Sequence, residues 1–165
     1  MIDLDDTNLV ISDDMQPDFR PMFGWPTRYK NYGAQKYRLY GKEFEIEDGY
    51  VSDGMSNPQA LWSLTGLAPD GPQRLGVLVH DFGYGTTGTM GVEGTPLTQD
   101  QLDHAIARLS GCAGVPQKKC ESIYFGLHHF GWIAWNRHKG LVSGPDLRTA
   151  TLEELITYSN LHKPQ

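Results

Sequence analysis

Nine residues constrain this chain more than any other stretch: Val77-Leu78-Val79-His80-Asp81-Phe82-Gly83-Tyr84-Gly85. They place two adjacent ionisable residues at the end of an apolar run, with a tyrosine four positions after the histidine. Dehydrating a charged pair beside so much hydrophobic surface is costly unless each member finds a partner or a metal. Whatever fold forms must bring those partners in from elsewhere in the chain.

Periodicity supplies the frame. A helix opened by Pro72 and running to about Tyr84 puts Leu75, Leu78, Val79 and Phe82 on one apolar stripe. At about 100° per residue, Val77, His80, Asp81 and Tyr84 lie on the other side. That side is half apolar too, so the helix is expected to be covered twice. Residues 85–97, rich in Gly and Thr, read as a surface loop. Thr98-Gln99-Asp100-Gln101 fits a capping box for the next helix, whose core stripe is Leu102, Ala105, Ile106 and Leu109, with Gly111 as its stop. Asp103 borders that stripe and is placed to be buried and to answer His80, whereas His104 points to solvent. Pro116 starts the longest helix, to about Lys139. One face carries Cys120, Ile123, Tyr124, Leu127, Gly131 and Ala134, and the other Phe125, His129, Trp132 and Ile133, the pattern of a central helix. Gly126 and Gly131 lower its helix propensity, and the expected return is close approach of a neighbour. Trp132, Trp135 and Phe130 read as core or as an interface patch. A loop from Gly140 to Asp146 leads to a last helix, capped by Thr151 with Glu154 and running through Leu161.

Before these helices, residues 1–36 read as an irregular arm of acidic patches and turn formers. Tyr37–Tyr40 and Glu43–Ile46 alternate around Gly41 as a half-buried hairpin, with a short third strand at Tyr50-Val51. Asn57 before Pro58 starts a short helix through Leu64. The expectation is a mainly α fold (α+β) of about five helices with a small N-terminal β-hairpin. It forms a single domain over residues 1–165, with the arm at 1–36 and the compact core at 37–165. At 165 residues the chain can bury a real core. A net charge of −6 without a basic block argues against a nucleic-acid partner. No apolar run reaches the ~18 residues of a membrane span. The acidic start lacks the features of a signal peptide, so synthesis in a cytoplasm is expected. Cys112 and Cys120 are too few for a disulfide framework and read as small buried hydrophobes, with one pairing left open. His138 and His162 read as surface residues.

His80, Asp81, Asp103 and, further upstream, Asp53 are the candidate site. A neutral imidazole takes a proton from water only when its other nitrogen is held, and an Asp on the neighbouring helix does that. Asp81 diverges from His80 by about 100° and can face a hard cation such as calcium, with carbonyls from a Gly-rich turn. His128 reaching inward as a third zinc ligand beside His80 and Asp81 is the less favoured metal arrangement.

His80-Asp81-Phe82-Gly83-Tyr84 resembles the His-Asp-Phe-Gly-Tyr helix of bacterial and fungal secreted phospholipases A2. The resemblance implies an antiparallel helix pair in which His80 is the base and Asp103, 23 residues on, holds it. It also implies that Tyr84 supports Asp103 and that Asp81, with Asp53 from the turn before Gly54, binds calcium. Residues 45–135 are also similar to an uncharacterised domain family common in phages and prophages. Its pattern here runs Gly49 to Pro58, His80-Asp81 to Tyr84, Asp103, and Gly131-Trp132-Ile133-Ala134-Trp135. The chain departs from the phospholipases in lacking their flanking cysteines and in placing Asp53 far upstream of His80. Its acidic charge suits a lipid interface poorly.

Two classes of function follow. One is a calcium-dependent hydrolase acting on a lipid or other ester, with water activated by His80. The other is a non-enzymatic phage virion or assembly component, made in the bacterial host cytoplasm. There the same residues form a buried polar network, and the arm docks on other structural proteins or on a second copy.

Overall fold

The computed structural model describes residues 2–3, 18–22, 28–52, 71–141 and 150–162. Alternation is the first organising signal. Tyr37, Leu39, Phe44 and Ile46 point into the core while Lys36, Glu43 and Glu45 point away, so strands β4 (Gln35–Leu39) and β5 (Lys42–Ile46) pair as the expected hairpin. Its two-residue turn, Tyr40-Gly41, takes positive φ at both positions, the geometry that matches the twist of the flanking strands.

The N-terminal segment corrects the expectation of an irregular arm. It contains β1 (Ile2–Asp3), β2 (Asp18–Met22) and β3 (Arg28–Tyr32). β1 pairs parallel with β4, and β3 lies between β2 and β6 (Val51–Ser52), making two three-stranded sheets. Two of these three strands pair with segments much later in the chain, which local composition cannot reveal. Pro21 is tolerated because β2 is an edge strand of its sheet. Buried Asn31 fastens the β3 end, its side-chain amide donating to the carbonyls of Gly33 and Glu47.

Four helices are described: α1 (Arg74–Gly85), α2 (Gln99–Cys112), α3 (Gln117–His138) and α4 (Leu152–His162). The short helix expected after Asn57-Pro58 lies outside the described residues. α1 is covered on two sides, as its composition requires. Leu75, Leu78 and Val79 share a cluster with the hairpin, where Phe82 stacks on Phe44 at 5.9 Å. Val77 joins Ile106, Val115, Ile123 and Leu127. The capping box of Thr98 and Gln101 forms and starts α2. Thr151 and Glu154 likewise bond across the start of α4.

Two expectations about loops and faces change. The 85–97 loop is anchored rather than superficial, because Met90 and Leu97 are buried in the core. The first half of α3 has only one covered side, with Phe125 60% exposed. The second apolar side is covered only further along, where Trp132 and Ile133 meet Ala150 and Leu155 around the much shorter α4.

The α1–α2 seam positions the site. Gly76 lies against Ile106 and Gly83 against Leu102, so the two helices run antiparallel in close contact. Leu102 is wholly buried at this seam. Leu102→Ala should lower unfolding free energy by about 2–5 kcal/mol, the range for buried leucine truncations. Denaturant titration checks this, and a loss below about 1 kcal/mol would contradict the packing described.

Candidate active site

The antiparallel seam brings one turn of α1 against one turn of α2. His80 and Tyr84, four residues apart, share a face of α1, and their rings lie 4.1 Å apart between centroids. Opposite them Gln99 and Asp103, also four apart, share a face of α2. His80 Nε2 is 3.1 Å from Asp103 Oδ1, and the Tyr84 hydroxyl donates to that same oxygen at 2.6 Å. Gln99 Nε2 donates to Asp103 Oδ2 at 3.1 Å. Asp103 is 1% exposed and His80 7%. A carboxylate so buried is tolerable because both oxygens are occupied, one of them by a charge-assisted bond. The expected contact between Asp103 and His80 is therefore present, and the Tyr84 hydroxyl shares the same carboxylate oxygen.

Asp81 differs from expectation. One of its oxygens turns back toward His80, with Oδ1 3.7 Å from Nδ1. The other accepts from the Ser52 hydroxyl of β6. Adjacent helix positions diverge by about 100° at the backbone, but a short carboxylate beside a ring can still close that angle at its tip. His80 is thus flanked by carboxylates at both nitrogens. Burial alone favours the neutral ring, but the hydrogen bonds and negative charges of Asp103 and Asp81 outweigh it. They push His80 up from 6.5 to about 9. The Tyr84 hydroxyl is held well above its ordinary value, first by burial and then by the charge of Asp103.

The other candidates fall into place as follows. Asp53 lies outside the described residues. His128 is half exposed on α3, where its Nδ1 sits 3.4 Å from Asp100 Oδ1. It faces Asp100 rather than turning inward as a third zinc ligand beside His80 and Asp81. His104 is half exposed, as expected, and stacks on Tyr124. His138 and His162 are exposed. Cys112 and Cys120 are free thiols rather than a pair. Among the described residues no group of three or more His, Cys, Asp or Glu is arranged to hold a metal ion. Beside Asp81 lies the Ser52 hydroxyl. Calcium takes six to eight oxygens, so these two residues do not by themselves make its site.

Two site residues escaped the sequence reading. Gln99 carried a findable signal, since it stands four residues before Asp103 on a helix whose start the capping box marks. Ser52 carried none, because its place against Asp81 is set by sheet pairing 29 residues away.

Compared with family models, curated proteins and solved structures, the chain matches none.

The raised pKa of His80 has a stability consequence of definite sign. A group that binds its proton more tightly when folded stabilises the fold fully below its unfolded value, and that contribution is lost as pH rises through the folded one. Stability should therefore decline from pH 6.5 toward pH 9, by a few kcal/mol attributable to His80. Unfolding measured across that window, and compared with His80→Gln, should show the decline in the natural chain only. Equal slopes in both proteins would contradict the assignment.

Proposed function

We propose that this protein hydrolyses an ester or related carbonyl bond, with His80 as the base that activates water. The observation that carries the reading is the shared oxygen of Asp103, which takes both His80 Nε2 and the Tyr84 hydroxyl. That arrangement fixes the ring's orientation and keeps the proton on Nε2, leaving Nδ1 as the nitrogen for chemistry. Water gives its proton to Nδ1 as its oxygen attacks the carbonyl carbon. The imidazolium that forms is stabilised by Asp103, and it returns the proton to the departing oxygen as the ester bond breaks. Calcium belongs to the proposal as the cation that Asp81 and Asp53 would help to hold with further oxygens, and it would supply Lewis acidity toward the developing oxyanion. The wider motif likeness is what supports a phage or prophage context, with lipid or another ester as the substrate class of this reading.

A second reading is favoured by one observation: both ring nitrogens of His80 face carboxylates in a nearly closed interior. On that reading the network only fixes helix register, as buried polar networks do, and the protein is a virion or assembly component. Sheet pairing takes β1, β2 and β3, strands of the N-terminal segment, into the protein's own fold. This removes part of the motive for a free docking arm. Among the described residues no helix is long and apolar enough to cross a membrane.

Short-chain ester and phospholipid-vesicle hydrolysis, each measured with calcium and with chelator, tests the first reading. His80→Gln should lower the rate by about 10²–10⁴-fold, the usual contribution of a positioned base. Because the ring must be neutral to act, the rate in the absence of a cation should climb with pH toward about 9. A natural chain inactive on every acyl substrate, yet present in purified virions at fixed copy number, would replace this reading with the second.

A further inference from the structure

We infer that Gly131 of α3 is a positioning residue for Asp103: its missing side chain is the notch through which Tyr84 and Gln99 reach the carboxylate. The assignment of a catalytic purpose rests on the hydrolase reading above, but the geometry stands apart from it. A Cβ at position 131 would lie 2.6 Å from the Tyr84 hydroxyl, 3.2 Å from Gln99 Nε2 and 3.7 Å from Asp103 Oδ2. The first of these distances is well inside van der Waals contact, so something must move. Tyr84 has little room to yield. Its hydroxyl is bonded to Asp103 at 2.6 Å, and its ring is held between His80 at 4.1 Å and the edge of Trp135 at 5.2 Å. Trp135 is buried one helical turn beyond Gly131. α3 thus presents a notch for the hydroxyl and, four residues on, a wall for the ring. The Gly131-to-Trp135 spacing is what aims Tyr84 at Asp103, and through Asp103 it holds His80. The site is built by three helices rather than by the α1–α2 pair alone.

Sign separates this role from ordinary helix packing. Alanine is intrinsically better than glycine inside a helix, so Gly131→Ala should stabilise unless the methyl meets the hydroxyl. The test is a double-mutant cycle of Gly131→Ala with Tyr84→Phe, read by thermal unfolding, by the His80 Nε2–H signal in ¹H–¹⁵N NMR spectra, and by ester hydrolysis. Gly131→Ala alone should lower the melting temperature, displace the His80 signal and cut hydrolysis at least tenfold. In the Tyr84→Phe background, where the clashing oxygen is gone, the same substitution should no longer lower the melting temperature and should leave the signal nearly unchanged. If Gly131→Ala does not fold but the double variant does, the coupling is shown equally. Equal effects of Gly131→Ala in both backgrounds, an unmoved His80 signal, or failure of both variants to fold would overturn the inference. Coupling in stability and spectrum without hydrolysis by any variant, the natural chain included, would leave Gly131 positioning Asp103 and overturn the hydrolase reading only.

Discussion

The buried carboxylate of Asp103 is the constraint on which the rest of the site depends. An ion in a hydrophobic interior is costly unless donors surround it, and here the donors come from two helices, with a third leaving room for them. His80 and Tyr84 of α1 occupy one oxygen, Gln99 of α2 occupies the other, and Gly131 of α3 lies against the assembly. None of these contacts survives a slip of one helix along another. The charge therefore selects the same register that the close contacts of Gly76 with Ile106 and of Gly83 with Leu102 require. The same charge sets the protonation of His80, which is why packing and chemistry cannot be separated at this point.

A second link ties this helical unit to the sheets. Asp81 takes the Ser52 hydroxyl at the end of β6, while its other oxygen faces His80. β6 is paired to β3, and β3 to β2, so the contact of the Ser52 hydroxyl with Asp81 ties that sheet to the site. On the opposite side of α1, Phe82 stacks against Phe44 of the hairpin and meets Tyr50 edge-on. α1 is thus fixed by a polar contact at Asp81 and by aromatic contacts one residue later, which leaves little freedom for the His80 ring to reorient.

Much of this was legible in the sequence where the signal was local. Helical periodicity placed His80 opposite Asp103, and capping chemistry located the start of α2 and of α4. The alternation around Gly41 gave the hairpin. Where the determining contact is remote, the sequence was silent. Ser52 meets Asp81 through sheet register, and β1 finds β4 across more than thirty residues, so neither leaves a local trace. The exposure of Phe125 shows a different limit. An apolar pattern on α3 says that a side could be covered, but the short length of α4 decides how much of it is. The bond from the Tyr84 hydroxyl to Asp103 gives the tyrosine four residues after His80 a physical role. For Asp81 the 100° backbone divergence from His80 does not fix the side chain, because a short carboxylate closes that angle at its tip.

The claim that Asp103 governs His80 is tested most directly by titrating the His80 imidazole by NMR in the natural chain and in Asp103→Asn. The account predicts a midpoint near 9 in the natural chain. It predicts a marked fall in the variant, because burial continues to disfavour the charged ring while its closest carboxylate is gone. A midpoint near the ordinary histidine value in the natural chain, or one unmoved by the substitution, would contradict it.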